Sequence, residues 1–390
     1  MKSQNIIHRR ATQLREYREW ASLAREQTGK GLRTQLREIL ALKHEAGQCG
    51  ITDYYWYKLY DDEYLRGRGR QDFLGWRLME EFSIALNPRY AALPSLDKVL
   101  FTQTAIAAGL PVASVRACFH RADRIPAALG VHLKTSEMAG AFLRDASAFP
   151  LFAKPAFSQM GHGAAYLAGY DRATDSLNLL DGASISVDAF LERLVRPVEA
   201  QYHKVECGYL FQEPLKLAPD LETFTKWPAI SGVRVICLND GNGTVPIRAV
   251  WKIAVPPNHT DNFVLGKNGN LVASVDVATG EVDRMIGGFW PKTTVLSTHP
   301  VSGLCVAGLR LPGWDKVLDA CRMGGRVFPL MKIHHWDFAL TDRGPVILEL
   351  NDIGGTRIPQ MHGLGLLTEE VRHFLRRHGD VRAHPWVKAL

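Results

Sequence analysis

Apolar residues recur at helical spacing through the first ninety residues of the chain. One series runs from Leu14 to Ala24, and a second includes Leu36 and Leu40. Gly29 and Gly31 lie between the two series, so we expect two separate helices. The stretch 51–76 is rich in Tyr and Trp, which predicts a helical layer packed against the rest of the molecule.

Beyond residue 95 the pattern alternates between helix-type and strand-type segments. Helices are predicted at 95–109, 133–146, 187–195 and 314–330. Strands are predicted at 111–119, 149–155, 164–170, 208–214, 230–238, 244–255, 270–277, 334–341 and 345–351. Turns are predicted at Asp181-Gly182, at Asn239-Asp240-Gly241 and at Asp342-Arg343-Gly344. Interspersed helices and strands predict an α/β or α+β fold.

The composition is that of a globular protein. Hydrophobic residues make up 46% and charged residues 22% of 390 residues, which excludes a disordered chain, a collagen or a coiled coil. No apolar run approaches the length of a membrane span, and the N-terminus lacks the apolar centre of a signal peptide. The six cysteines are scattered, with no CxxC pair, which predicts buried thiols in the cytoplasm.

Positive charge is concentrated at the N-terminus. Residues 1–50 contain ten Lys and Arg against five acids, so they hold five of the seven net positive charges. The acids are spaced to pair with the bases along a helix, which favours a solvated helix face. A homodimer contact, a protein partner or an anionic surface is the alternative, and nucleic acid is disfavoured because no binding module is present. Arg66, Arg68 and Arg70 form Arg-Gly pairs that fit a solvated turn, with phosphate contact as the alternative.

Two carboxylates and an amide fall on the last predicted hairpin. Asp337 lies on its first strand, and Glu349 and Asn351 lie two residues apart on its second, so they share one face. Oxygen ligands of this kind suit Mg²⁺ in the presence of phosphate oxygens. Solvated acids on a hairpin are the alternative.

Two cations stand in contexts that call for an anion. Lys154 ends an apolar strand and is followed by a loop containing Gly161, His162 and Gly163, whose backbone could close over phosphate. The loop is neither a Walker A motif nor a Rossmann fingerprint. Arg234 is a lone cation in the apolar strand 230–238 and therefore needs an anionic partner. Lys98, by contrast, reads on its own as a solvated residue at a helix start.

In this order the residues resemble those of the ATP-grasp superfamily. The set consists of Lys98, Lys154 with its glycine loop, Gln212-Glu213, Arg234, Asp337, Glu349 and Asn351. More narrowly, the segments 54–76, 96–112, 232–238, 260–282 and 335–352 resemble the sugar-transfer-associated ATP-grasp family. The resemblance implies an α+β fold with two subdomains enclosing ATP, preceded by a helical extension. It implies a helical region at 1–95, a first ATP-grasp lobe at 96–212, a second lobe with the metal site at 213–370 and a tail at 371–390.

The resemblance also implies a role for each residue. Lys98 and Lys154 would hold ATP phosphates, and Gly161, His162 and Gly163 would cover them. Gln212, Glu213 and Leu215 would meet adenine, and either Asp220 or Glu222 would meet the ribose. Asp337, Glu349 and Asn351 would bind Mg²⁺, or alternatively Mn²⁺. Arg234, Lys154 and His335 are the catalytic candidates.

Two positions depart from the superfamily pattern. His335 stands two residues before the first metal acid, where many members carry an arginine, so more of the phosphoryl stabilisation falls to Arg234. The segment after Asn351 lacks the proline-glycine turn of amino-acid ligases, and Arg357 becomes a candidate for a substrate carboxylate or phosphate. Asn262 is the second substrate candidate.

The function implied is that of an ATP- and Mg²⁺-dependent ligase. A substrate carboxylate would attack ATP to give an acylphosphate, which an amine or a similar nucleophile would capture. The family association suggests cell-envelope or polysaccharide metabolism. A small-molecule kinase on the same fold and a non-catalytic nucleotide-binding protein are the alternatives.

Overall fold

A computed structural model of the chain describes residues 2–158, 162–196, 198–200, 203–205 and 208–390. The α-helices are, in chain order, α1 Lys2–Thr28, α2 Leu32–His44, α3 Ile51–Trp56, α4 Asp62–Leu65, α5 Glu81–Ile84, α6 Leu93–Leu96, α7 Lys98–Ala107, α8 Ser136–Leu143, α9 Val187–Val195, α10 Pro219–Thr225, α11 Trp314–Val327, α12 Arg357–Gln360 and α13 Glu369–His378. Short 3₁₀ turns lie at Arg70–Asp72, Trp76–Leu78, Arg89–Ala91, Ala127–Leu129, Ala146–Ala148, Val264–Gly266 and Pro385–Ala389. Across the described part of the chain, no helix combines the length and apolar character needed to cross a membrane.

The strands form two large sheets and a small ribbon. They are β1 Val115–Phe119, β2 Val131–Leu133, β3 Leu151–Pro155, β4 Ala165–Asp171, β5 Ser176–Leu179, β6 Ser184–Ser186, β7 Val198–Ala200, β8 His203–Val205, β9 Tyr209–Gln212, β10 Gly232–Asn239, β11 Thr244–Ile253, β12 Leu271–Val275, β13 Val282–Gly287, β14 Thr294–Leu296, β15 Ile333–Thr341 and β16 Gly344–Asn351. The first sheet has the order β2-β1-β9-β3-β4-β5-β6, and the second has the order β14-β13-β12-β11-β10-β15-β16. Among the described strands, β7 and β8 pair with each other as a separate two-stranded ribbon.

The first sheet is antiparallel except for the parallel pair β1 and β2. One face is covered by α8 and α9, whose apolar residues Leu143 and Phe190 pack with Ala153 and Phe211 of the sheet. Thr135 caps the start of α8 and Ser186 caps the start of α9, each accepting a backbone N–H of the first turn. The sheet and its two helices therefore share one core.

The second sheet is antiparallel throughout and is buried on both faces. On one face, Val235 and Trp251 pack against α11, which contributes Val317 and Cys321. Alternate positions of the same strands point the other way, because successive side chains of a strand face opposite sides. A central strand buried on both sides has few polar residues, so each cation or acid within it needs a local partner.

The N-terminal helices cover that second face. Tyr54, Tyr55 and Phe73 form one apolar cluster with Val272 and Ile286 of the sheet. The structure thus confirms the predicted aromatic layer packed against the main body. The two predicted helices are also found, since α1 ends at Thr28 and α2 begins at Leu32.

Two crossing segments connect the sheets. Val112, before β1, forms a parallel bridge with Ile347 of β16, and Ile347 N donates to Pro111 O over 2.7 Å. Leu217, after β9, bridges Thr341 at the end of β15. The sheets are therefore joined where the last hairpin meets the segment that follows β9.

The sequence pattern misses several elements. The helix predicted at 187–195 coincides with α9, and the predicted strands 334–341 and 345–351 pair as β15 and β16. The strands β2, β5, β6, β7, β8, β13 and β14 are not predicted, and the helix predicted to reach residue 330 ends at Val327. The strand β13 is not predicted because Asp283 and Arg284 interrupt its apolar pattern. The strands β2 and β14 are not predicted because they have only three residues each.

Candidate active site

The predicted acids of the last hairpin face one another across β15 and β16. Asp337 is paired directly with Glu349, and His335 is paired with Asn351. The register then shifts by one residue, which leaves Leu348 as an extra residue of β16. Asn351 Nδ2 donates to Glu349 Oε1 over 3.1 Å. Two carboxylates and an amide are thus held together at one end of the second sheet.

Arg234 of β10 binds the first of these acids from the neighbouring strand. It is paired in register with Asp337, and its Nε and Nη2 donate to the two carboxylate oxygens over 2.7 and 2.6 Å. Its Nη1 donates to the carbonyl of Gly354. Burial alone would raise the pKa of Asp337, which is only 4% exposed, but Arg234 and Lys252 hold it well below its usual range. Asp337 is therefore ionised at neutral pH.

Lys252 of β11 belongs to the same group of charges, although sequence reasoning did not single it out. Its Nζ lies 3.1 Å from Asp261 Oδ2 and 3.7 Å from Asp337 Oδ2. Burial lowers the pKa of Lys252, but the two carboxylates outweigh that effect and raise it. Gly232 allows Asp261 to approach, because a Cβ at position 232 would lie 2.6 Å from Asp261 Oδ2. The sequence signal that could have identified Lys252 is a cation in an apolar strand, which is the signal that identified Arg234.

Lys154 reaches this end of the second sheet from the first sheet. Its Nζ donates to the carbonyl of Leu348, the extra residue of β16, over 3.3 Å. Burial lowers the pKa of Lys154 to about 8, with a further contribution from the positive charge of Lys98, while Glu349 acts in the opposite sense. The structure therefore brings Lys98, Lys154 and Glu349 within electrostatic reach of one another.

Lys98 is the first residue of α7 and lies beside the strand that carries Lys154. The helix starts there because Asp97 Oδ1 accepts the N–H groups of Val99 and Leu100. Lys98 Nζ donates to Ser158 O over 2.5 Å, and its backbone N–H donates to Ala156 O. The start of a helix carries partial positive charge, so the helix dipole does not stabilise the ammonium group of Lys98. An anion bound there would be stabilised by both charges.

The glycine loop follows Lys154 directly in the chain. Gly161 lies outside the described residues, and His162 is exposed. Gly163 has a left-handed φ of 78°, and its carbonyl accepts from Tyr209 Oη over 3.0 Å. A Cβ at Gly163 would lie 2.8 Å from Pro155 Cγ. The end of the loop is thus fixed against the first sheet by a glycine that no larger residue could replace without strain.

The side chains predicted to meet adenine have partners within the protein. Gln212 is buried and its Nε2 donates to Ala113 O over 3.3 Å. Glu213 Oε1 accepts from Arg343 Nη2 over 2.9 Å and from Ser114 Oγ over 3.0 Å. Gln212 ends β9, and Glu213 and the half-buried Leu215 follow it just before Leu217 bridges to Thr341 of the second sheet.

The ribose candidates lie one turn further along the chain. Asp220 and Glu222 are both exposed in the first turn of α10. Both carboxylates are therefore accessible to solvent at this turn.

His335 is buried behind the group of charges. Its Nε2 lies 3.1 Å from Ser83 Oγ, and a Cβ at Gly354 would lie 2.1 Å from its Cγ. Burial, together with the charge of Arg234, lowers the pKa of His335 to about 3. The ring is therefore neutral at physiological pH and cannot supply the positive charge that an arginine at this position would carry. It supports Gly354, whose carbonyl accepts from Arg234.

The two substrate candidates occupy different places. The Arg357 guanidinium lies over the Trp56 ring, with Cζ 3.6 Å from the ring centroid, and its Nε has no partner among the described residues. Burial lowers the pKa of Arg357. Asn262 follows Asp261 in the chain, and its carbonyl accepts from the side chains of Asn268 and Asn270.

The donor set at the hairpin fits a hard divalent cation. Asp337, Glu349 and Asn351 offer carboxylate and amide oxygens on one face, and hard cations prefer oxygen ligands of this kind. Among the described residues there is no group of three or more His, Cys, Asp and Glu side chains that could hold a metal. A cation bound here would therefore rely on these two carboxylates, the amide and oxygen atoms of a substrate.

Comparison with known proteins identifies the class to which this fold and site belong. The family model described as sugar-transfer associated ATP-grasp matches residues 77–374. The chain therefore belongs to the sugar-transfer-associated ATP-grasp family, which confirms the resemblance and the α+β ATP-grasp fold. Membership implies the use of ATP with a divalent metal ion in general terms.

The other comparisons add little. No curated protein matches the chain. Among solved structures, it is similar to the VanG D-Ala:D-Ser ligase from Enterococcus faecalis, with 14% identity, a TM-score of 0.38 and coverage of 75% of this chain and 63% of that chain. The likeness is too slight to assign an activity.

Proposed function

We propose that the protein binds ATP at the junction of its two sheets and uses it to join a carboxylate to an amine or a similar nucleophile. The observation that carries this proposal is the contact between Lys154 Nζ and the carbonyl of Leu348, between the two sheets. It holds a cation of the first sheet beside the paired acids of the second. A triphosphate with its metal ion requires this combination of ammonium groups and oxygen ligands.

The charges around the site favour a polyanion. Lys98, Lys154, Arg234 and Lys252 supply four positive charges, against three from Asp261, Asp337 and Glu349. Most of these groups are buried or half-buried, so water screens them weakly. The excess of positive charge suits the phosphates of ATP.

Each residue then takes a role in the proposal. Lys98 and Lys154 hold the phosphates, and Gly161, His162 and Gly163 cover them. Gln212, Glu213 and Leu215 line the adenine site, with Asp220 or Glu222 at the ribose. Arg234, assisted by Lys252, neutralises the transferred phosphoryl group, while Arg357 and Asn262 face the acceptor. A divalent cation held by Asp337, Glu349 and Asn351 would neutralise charge on the phosphate oxygens.

The proposed reaction has two steps. An oxygen of the substrate carboxylate forms a bond to the γ-phosphorus of ATP as the bond to ADP breaks, which gives an acylphosphate and ADP. The amine then forms a bond to the acyl carbon, loses a proton and displaces inorganic phosphate. Phosphoryl transfer needs positioning and charge neutralisation, which Lys154 and Arg234 supply without a protein nucleophile. The family's association with sugar transfer favours an acceptor from cell-envelope or polysaccharide metabolism.

The test is an assay of the purified protein with Mg²⁺, ATP and panels of carboxylic acids and amines. Release of ADP together with an amide product supports the ligase. A stable phosphorylated product would identify a kinase instead, and ATP binding without turnover would identify a non-catalytic nucleotide-binding protein.

The variant Glu349→Ala tests the site itself. We expect it to lower turnover by about 100-fold or more, because it removes an oxygen ligand opposite Asp337, while the circular dichroism spectrum stays that of the wild type. Glu281→Ala, which removes an exposed acid at the turn between β12 and β13, should retain full activity. Wild-type turnover in Glu349→Ala would overturn the assignment of the metal site.

A further inference from the structure

The helix α2 presents leucine side chains on the side that faces solvent. Leu32, Leu36 and Leu40 are 57%, 46% and 58% exposed. They lie four residues apart, so they form one line along the helix, which we call the leucine stripe. A helix of a globular protein normally turns such a stripe toward the core, and apolar side chains gathered at the surface indicate a contact site.

The opposite side of α2 fixes this orientation. Ile39 and Leu42 belong to the apolar cluster that the N-terminal helices form with the second sheet. Gln35 is buried on the same side, and its Nε2 donates to Ala21 O and Lys30 O over 3.1 and 2.8 Å. The helix cannot rotate to bury its leucines without breaking these contacts, so the leucine stripe stays at the surface.

Positive charge borders the leucine stripe. The structure describes all of α2, and the exposed Arg and Lys side chains of this helix stand beside no exposed acid of the same helix. Arg33 and Arg37 each follow a leucine of the stripe by one position, and Lys43 lies three positions after the last leucine. The next exposed acid along the chain is Glu45, beyond the end of the helix.

The acid within α2 points toward the protein instead. Glu38 Oε1 accepts from Lys30 Nζ over 3.1 Å, and Glu38 Oε2 accepts from Tyr54 Oη over 2.5 Å. The neighbouring helix α1 has mixed charge on its surface, since the exposed Glu19 lies 3.9 Å from Arg15. The purely positive surface is therefore a property of α2, and it calls for an anionic counterpart.

An anionic phospholipid membrane matches this combination of side chains. A helix that lies along a membrane surface places its leucines at the boundary of the acyl chains and its cations beside the phosphate groups. A second copy of the chain matches less well, because a symmetric contact through the stripe would bring cations against cations. Three leucines also cover far less than the roughly 800 Å² per partner that a stable protein interface buries.

We propose that α2 docks the protein on anionic phospholipid membranes through its leucine stripe, with Arg33, Arg37 and Lys43 at the headgroups. The helix remains packed on the protein through Ile39 and Leu42, so the membrane meets only its outer side. Three cations and three leucines give an attachment that is reversible and depends on salt. The proposal does not depend on the function proposed for the ATP site.

The test is flotation of the full-length protein with vesicles. One set contains phosphatidylglycerol and phosphatidylcholine in equal parts, and the other contains phosphatidylcholine alone. We expect the protein to float with the anionic vesicles only, and to float with them much less in about 1 M salt, where charges are screened over about 3 Å. Absence of binding to the anionic vesicles, or equal binding to both sets, overturns the proposal.

Two variants test the leucines and the cations separately. Leu36→Gln removes the centre of the leucine stripe, and the double variant Arg33→Gln/Arg37→Gln removes two of the bordering charges. Both change exposed side chains, so the circular dichroism spectrum should stay that of the wild type. Each variant should bind the anionic vesicles about tenfold more weakly or less.

Matched controls lie at and after α11. Leu330→Gln changes a leucine that is 60% exposed, and Arg322→Gln/Arg326→Gln removes two exposed arginines four residues apart. Both controls should bind as the wild type does. The two double variants have equal net charge, so a difference between them reports the place of the charge. Equal binding by all variants overturns the proposal. A wild-type dimer in sedimentation velocity that Leu36→Gln converts to a monomer also overturns it, and assigns the leucine stripe to a second copy.

Discussion

Lys154 is the residue on which the two halves of the candidate active site meet. It ends β3 in the first sheet, yet its Nζ contacts the carbonyl of Leu348 in the second. Because burial lowers its pKa to about 8, its charge is only partly retained at slightly alkaline pH. A phosphate bound beside it would restore the charge, since an anion stabilises the ammonium form.

We therefore predict that ATP affinity falls as the pH rises through 8. Below pH 8 Lys154 carries its proton and binds phosphate, whereas above pH 8 the free protein loses that proton, and the affinity should decline by up to about tenfold per pH unit. The phosphates of ATP keep their charge over this range, so the decline reports the protein. Calorimetric titration of ATP from pH 7 to 9.5 measures it.

Lys154→Arg is the matched variant for that titration. Its guanidinium stays charged throughout the range, so its affinity for ATP should be flat between pH 7 and 9.5. A wild-type profile that is flat, or an equal decline in the arginine variant, would assign the titration to another group.

The residues of the candidate site could be predicted from the sequence where the residues that form the motif lie close together in the chain. Asp337, Glu349 and Asn351 lie on one hairpin, and period-two spacing alone places Glu349 and Asn351 on a common face. Lys252 and Asp261 were not predicted, because their pairing depends on a loop folding back over β10 and on a close approach at Gly232. The contact of Arg357 with Trp56 joins residues about three hundred positions apart, which no spacing rule detects.

At the scale of elements, small irregularities in strand pairing and in loops determine the direction in which the functional groups point. The extra residue Leu348 shifts the register of β16 by one and leaves its carbonyl facing Lys154. Gly354 lies against the His335 ring while its carbonyl accepts from Arg234. Neither feature follows from the apolar pattern of the strands. That pattern predicts the strands themselves but does not predict the positions at which the pairing register shifts.

The N-terminal helices are part of the core of the second sheet. We predict that a chain lacking residues 1–75 does not fold to a soluble form, because the apolar face around Val250, Val272 and Ile286 loses Tyr54, Tyr55 and Phe73. Solubility on expression and binding of a hydrophobic dye measure the outcome.

A shorter truncation provides the control. Removal of residues 1–11 leaves all of these contacts in place and should give a soluble protein that binds little dye. A soluble, cooperatively unfolding chain beginning at residue 76 would contradict the account, and would show that the part matched by the family model folds alone.

At the scale of the whole molecule, the two sheets meet at a charged junction. The first sheet supplies Lys154 and helix α7 supplies Lys98, whereas the second sheet supplies Arg234, Asp337 and Glu349. The order of helices and strands predicted an α/β or α+β fold, and the resemblance of the ordered motifs predicted the family and its α+β class. The meeting of the sheets was not predictable from spacing, because it depends on the bridges of Val112 and Leu217 to the last hairpin.

The most direct test of the central claim is a crystal structure with Mn²⁺ and a non-hydrolysable ATP analogue, in which anomalous scattering locates the metal. We predict a metal peak at the carboxylates of Asp337 and Glu349, with the triphosphate between that peak and the Nζ atoms of Lys98 and Lys154. A nucleotide bound away from the junction of the sheets, or a metal peak distant from the β15–β16 hairpin, would contradict the account.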